Sequence, residues 1–120
     1  MEFPHKSDIW GPGMWYNIHI KGKYAIDEKS INEYIDYLYF ILPKLPCDIC
    51  KDHATDYIKN NPPEKYKNMK NKDGVNIGMF KWSWTFHNAV NSRLKNPIID
   101  YYTAMNMYED LGICTGSCGN

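Results

Sequence analysis

Two prolines, Pro43 and Pro46, stop a helical pattern directly before Cys47-Asp48-Ile49-Cys50. Upstream, Ile31, Tyr34, Ile35, Leu38, Ile41 and Leu42 recur at helical spacing and predict an amphipathic helix that Pro43 must end. Downstream, a third helix is expected from about Asp48 to Lys59, closed by Asn60-Asn61-Pro62-Pro63. The dithiol therefore sits at a helix start. There the i, i+3 spacing brings both sulfurs within disulfide reach on one turn. The positive end of the helix dipole also favours a thiolate, a better nucleophile and leaving group. Three chemistries fit this placement: a redox dithiol, a plain structural disulfide, and half of a zinc site completed by His53, His87, or Cys114 and Cys118. A thioredoxin-like unit does not fit, because no strand–helix–strand pattern surrounds the motif.

The rest of the chain also reads as helix. Trp10-Gly11-Pro12 leads into a first helix from about Pro12 to Lys21, with Trp15, Ile18 and His19 on one face and Gly22 as its stop. Asp27 or Ser30 opens the second helix, and Ser30-Ile31-Asn32-Glu33 has capping-box spacing. Residues 62–75 are rich in Lys and Asn, contain Gly74 and read as an exposed loop. A fourth helix is expected from about Ile77 to Leu94 and a short fifth from Ile98 to Leu111. The fold class is all-α: a four-helix bundle plus a short fifth helix. At 120 residues it forms one domain, with a helical core over residues 10–111 and a flexible cysteine-containing tail over 112–120.

Charge narrows the function classes. Fourteen basic residues balance fourteen acidic ones, so the electrostatic excess that nucleic acid or an anionic membrane demands is missing. No signal-peptide pattern is visible, and no apolar run approaches the length of a membrane span. Four cysteines without a secretory signal point to catalysis or metal binding more than to structure. Ten Tyr and four Trp suit either an aromatic core or a pocket for a flat ligand. Lys, Asn, Ile and Tyr are abundant together, which also fits an AT-rich coding bias.

The expected fourth helix holds the second informative stretch, Trp82-Ser83-Trp84-Thr85-Phe86-His87-Asn88-Ala89-Val90-Asn91-Ser92-Arg93-Leu94. Trp82, Phe86, Val90 and Leu94 make an apolar stripe. Trp84, His87, Asn88 and Asn91 make a neighbouring stripe that needs polar partners if buried. Its two readings are a solvated polar face and a wall for a planar polar ligand. On the third helix, His53 and then Tyr57 lie on the face of Cys50.

Taken together, Trp10-Gly11-Pro12…Trp15…His19, Cys47-x-x-Cys50-x-x-His53-Ala54 and Trp82…His87-Asn88-x-Val90-Asn91-x-x-Leu94 resemble the Erv/ALR family of FAD-dependent sulfhydryl oxidases. The blocks stand in family order over residues 10 to 97 and are most similar to the compact versions of large DNA viruses. The resemblance implies FAD held within the bundle and a homodimer. Cys47 takes the role of substrate-facing cysteine and Cys50 that of flavin-proximal cysteine. Gly11, Trp15, His19, Cys50, His53, Trp82, His87, Asn88, Val90 and Asn91 line the cofactor, and no metal is required. It further implies thiol-bearing protein substrates, with a thioredoxin-like carrier among them, and oxygen as final acceptor. For a viral member the setting is the host cytoplasm at assembly sites, and the virion.

Three departures stand out. The family often places a lysine where Asn96 stands here, so the phosphate contact falls to Lys95 one residue earlier. Tyr24 matches the family's tyrosine after the first helix only loosely. Many members also carry a disulfide at the positions of Trp84 and Tyr101, and an aromatic contact between these rings is expected in its place. Finally, Cys114-Thr115-Gly116-Ser117-Cys118 offers a candidate shuttle disulfide on a free terminus.

Overall fold

A computed structural model describes residues 7–108, with side chains from Ile9 onward. It contains five α-helices: α1 (Ser7–Lys23), α2 (Glu28–Ile41), α3 (Asp48–Asn60), α4 (Gly78–Arg93) and α5 (Tyr101–Met107). Single 3-10 turns at Leu42–Lys44 and Pro63–Tyr66 lead into and out of α3. No strand occurs among the described residues beyond an isolated antiparallel bridge between Lys70 and Asn76. The all-helical expectation therefore holds.

Helix α1 begins at Ser7, well before the expected start at Pro12, which lies inside it. Proline removes one N–H donor but fixes a helical φ, so a helix carried by packing runs through it. That packing comes from Met14, Trp15 and Ile18 against the core. Gly22 is likewise not a stop. A Cβ there would lie 3.1 Å from the Met79 carbonyl oxygen and 3.1 Å from the Tyr34 hydroxyl, so Gly22 is where α1 meets both α4 and α2. The Tyr34 hydroxyl donates to the Ile18 carbonyl at 2.7 Å and ties α2 to α1.

Helix α2 uses a capping box one turn earlier than Ser30-x-x-Glu33. Asp27 is the N-cap; its carboxylate accepts from the Ser30 N–H at 2.7 Å, and the Ser30 hydroxyl accepts from the Asp27 N–H at 3.1 Å. Ile31, Tyr34, Ile35 and Leu38 are buried as the periodicity predicts. They pack with Ile18, Leu42, Ala54, Ile58, Met79, Trp82 and Phe86 in one core.

Two further glycine and asparagine positions fix the approach to α4. The Asn76 side chain accepts from the Gly78 N–H at 2.8 Å and donates to the Lys67 carbonyl, turning the 67–78 segment onto the helix. A Cβ on Gly78 would collide with the Tyr66 carbonyl, whose carbon is 2.8 Å from that position. Helix α5 opens at Tyr101 and not at Ile98, because Asp100 caps it by accepting from the Thr103 N–H at 3.1 Å. Residues 109–111 of the expected fifth helix, and Cys114 and Cys118, lie outside the described residues.

Candidate active site

The α1 and α4 faces singled out by sequence meet. The Trp15 ring lies flat on the His87 ring, centroids 3.8 Å apart and planes 3° from parallel. Trp15 also touches Phe86 at 5.1 Å, and Trp82 packs tilted against Phe86 at 5.2 Å. His19, one turn beyond Trp15, is 4% exposed. Its Nε2 is 2.8 Å from His87 Nδ1, and its Nδ1 is 2.8 Å from the Ser83 hydroxyl. Tyr108 packs against His19 with centroids 5.2 Å apart. Burial disfavours the imidazolium form of both rings. Desolvation, helped by the neighbouring His87, pulls His19 down to about 3, and desolvation pulls His87 down to about 4. The pair is therefore neutral at physiological pH.

Trp15, His19, Trp82 and His87 thus form one cluster, joined by Ser83. Reading by residue type passed over Ser83; its placement one turn before His87 was the available signal. Val90 packs half-buried against the core, and Gly11 is buried one turn before Trp15. Asn91 is half-buried and His53 is exposed on α3. The Asn88 amide grips a backbone, donating to the Ile99 carbonyl at 2.8 Å and accepting from the Ile99 N–H at 3.1 Å. The Trp84 indole N–H donates to the same carbonyl at 2.7 Å. Asn88 and Trp84 therefore fasten the α4–α5 connection, a task their sequence stripe did not reveal.

Lys95 adopts φ +61° just past α4. Its N–H bonds the Ser92 carbonyl at 3.2 Å, and the Asn96 N–H bonds the Asn91 carbonyl at 2.8 Å. That pair of bonds is a Schellman closure, whose left-handed position is usually glycine. The exposed side chain leaves the body of α4 at this point.

Cys47 and Cys50 are free thiols at the start of α3. Cys47 is the N-cap, its sulfur accepting from the Cys50 N–H at 3.2 Å. Hydrogen bonds from the Cys50 thiol and the Cys50 backbone lower the Cys47 pKa. Burial and the adjacent Cys47 raise that of Cys50, against an opposing pull from Arg93. The two thiols are thus unequal: ionisation is easier at Cys47 than at Cys50. From α3, Tyr57 reaches Phe86 at 5.1 Å, so a continuous aromatic layer runs from the dithiol helix to the Trp15–His87 stack.

This arrangement can be set beside known proteins. The sequence model of the Erv1 / Alr family matches residues 12–109. The chain belongs to the Erv1 / Alr family. A protein of African swine fever virus named FAD-linked sulfhydryl oxidase is 31% identical over 103 residues, covering 83% of this chain and 80% of that one. A protein of Invertebrate iridescent virus 6 is 33% identical over 102 residues, covering 80% of this chain and 86% of that one. The yeast Erv1 core crystal structure superposes with a TM-score of 0.73 at 19% identity, over 92% of this chain and 88% of that one. The Erv1 / Alr fold is therefore present. Among the described residues no helix is long and apolar enough to cross a membrane, and no three His, Cys, Asp or Glu side chains are grouped to hold a metal.

Proposed function

We propose that this Erv1 / Alr domain is a thiol oxidase that makes disulfides in protein substrates and uses FAD. The observation that carries this reading is the unequal Cys47–Cys50 pair on a helix start, linked by aromatic rings to the neutral Trp15–His19–His87 cluster. The residues suit a flavin dinucleotide. Trp15 and His87 offer a planar aromatic wall, the neutral imidazoles offer uncharged polar edges, and the Tyr101 hydroxyl is buried without a partner. Trp15, His19, Trp82, His87 and Asn91 would hold the group, with Gly11, His53, Asn88 and Val90 around them and Lys95 toward phosphate.

A substrate thiolate attacks the Cys47 sulfur of the Cys47–Cys50 disulfide and expels Cys50 as thiolate. A second substrate thiol then attacks the substrate sulfur of the mixed disulfide and expels Cys47. The substrate has lost two electrons and two protons, and the pair is a dithiol. Stabilising the Cys47 thiolate speeds this second step, since a thiol of lower pKa leaves faster. FAD, when bound, accepts the electron pair that restores the disulfide and delivers it to oxygen, giving hydrogen peroxide.

The substrates are thiol-bearing proteins, met directly or through a thioredoxin-like carrier, and two copies of the chain pair as a homodimer. If the chain is viral, its setting is the host cytoplasm at assembly sites, and the virion. Cys114 and Cys118 act as a shuttle that relays electrons to Cys47. Purified protein should be yellow, with a flavin spectrum at one equivalent per chain. Colourless protein carrying stoichiometric zinc would overturn the reading in favour of a zinc-stabilised helical module. Cys47→Ser or Cys50→Ser should abolish oxygen consumption with any dithiol. Replacing Cys114 and Cys118 together should spare a small dithiol and slow a protein substrate; equal rates on both would remove the shuttle.

A further inference from the structure

Ser83 is fully buried between α1 and α4 and sits at the root of the histidine pair. Its hydroxyl oxygen is 2.6 Å from the Phe80 carbonyl oxygen and 2.8 Å from His19 Nδ1. A carbonyl can only accept, so the single hydroxyl proton is directed to Phe80. The oxygen then accepts from His19, which places a proton on His19 Nδ1. His19 Nε2 and His87 Nδ1 stand 2.8 Å apart and share one proton. Were it on His19, that ring would carry protons on both nitrogens and be a cation. A buried site opposes the charge, as its pKa of about 3 reflects. The shared proton therefore belongs to His87 Nδ1. His87 is itself held neutral, at about 4, so its Nε2 carries a bare lone pair.

We propose that Ser83 is a positioning residue: it sets His19 and His87 as Nδ1–H tautomers in one directed chain and leaves His87 Nε2 as an acceptor beside the Trp15 ring. The proposal rests on the flavin reading for the identity of the ligand. Its content is chemical selectivity. A bare imidazole nitrogen takes a hydroxyl or amino group of the dinucleotide and refuses a phosphate oxygen, which at neutral pH is an acceptor too. The phosphates must therefore find their donors elsewhere. The chain also holds its polarity without charge, so it gives the cluster direction at no cost of burying an ion.

The test is the imidazole nitrogen NMR spectrum of the flavin-loaded protein labelled with ¹⁵N-histidine, recorded at neutral pH. Expected are a protonated Nδ1 and an unprotonated Nε2 on both His19 and His87. In Ser83→Ala the His19 Nδ1–H loses its acceptor. Both rings should shift toward the Nε2–H form, and the flavin Kd should rise about fivefold, the worth of one neutral hydrogen bond. A proton on His87 Nε2 in the unsubstituted protein overturns the proposal, as do unchanged tautomers in Ser83→Ala. If Ser83→Ala does not fold, the spectrum of the unsubstituted protein decides alone. Protein that binds no flavin yet shows both Nδ1–H tautomers supports the Ser83 chain and strikes the flavin reading. Flavin bound beside a His87 protonated on Nε2 does the reverse.

Discussion

Trp84 and Tyr101 meet edge to face, with ring centroids 5.5 Å apart and planes at 82°. This pair occupies the two positions at which the family resemblance led us to expect a contact in place of a disulfide. The clip is reinforced by the Trp84 indole and the Asn88 amide, which converge on the backbone of Ile99. Trp84→Ala should cost about 3 kcal/mol by urea unfolding, as loss of a large half-buried ring generally does. It should also speed hydrogen exchange at the Ile99 amide. Tyr101→Phe isolates the packing, because its hydroxyl is buried without a partner. In flavin-free protein that change should be neutral or stabilising by up to about 1 kcal/mol.

Gly78→Ala should be among the most damaging single-methyl additions in the chain. The new Cβ would overlap the Tyr66 carbonyl, which is backbone and cannot rotate away. Either α4 retreats from the 3-10 turn at Pro63–Tyr66 or the Asn76 bonds break. A loss of roughly 2–3 kcal/mol is expected from equilibrium unfolding. Gly13→Ala is the control, since nothing lies within 4 Å of its Cβ position, and it should be neutral or mildly stabilising.

Much of this was legible in the chain, and the failures have physical causes. The α2 face was readable because Ile31, Tyr34, Ile35 and Leu38 face one core. The dithiol helix was readable because Pro43 and Pro46 punctuate it. The start of α1 is hidden because Pro12 looks like a first-turn proline, while the packing of Met14, Trp15 and Ile18 carries the helix through it. Gly22 reads as a stop because a glycine needed for close approach looks the same in sequence as one needed for a turn. The roles of Asn88 and Ser83 were hidden because their partners, Ile99 and His19, are 11 and 64 residues away.

Lys95→Gly separates stability from binding. The left-handed backbone at Lys95 costs a side-chain-bearing residue about 1 kcal/mol relative to glycine. The variant should therefore unfold at higher urea, by up to about 1 kcal/mol after the greater entropy of unfolded glycine is allowed for. If Lys95 meets a cofactor phosphate, flavin affinity falls in the same variant, and more steeply at low salt. A variant both more stable and equally tight would show that the side chain has no such contact.

The histidine pair predicts an acid limit. A ring whose folded pKa is depressed is protonated in the unfolded state first. Stability contributed by its neutral form is present above the ordinary value of 6.5 and is lost as pH falls toward about 3 for His19 and about 4 for His87. His19 alone should remove about 1.4 kcal/mol per pH unit within that window. Urea midpoints measured from pH 7 to pH 5 should fall accordingly. His19→Gln should flatten the dependence even if it lowers stability at neutral pH. A dependence equally steep in His19→Gln would locate the acid sensitivity elsewhere.

Cys47 combines two jobs that substitution can separate. Its sulfur caps α3 by accepting from the Cys50 N–H at 3.2 Å, and the same bond helps lower its pKa. Serine keeps an N-cap acceptor at that place and removes the redox chemistry; alanine removes both. Cys47→Ser and Cys47→Ala should therefore be equally inactive as oxidases, while only Cys47→Ala lowers Tm by several degrees. In the reduced, unsubstituted protein at neutral pH, iodoacetamide should label Cys47 before Cys50 in peptide mass mapping, because the thiolate is the reacting form. Labelling of Cys50 first would mean that Arg93 outweighs the burial and the neighbouring sulfur that raise it. The assignment of the attacked and resolving sulfurs would then have to be exchanged.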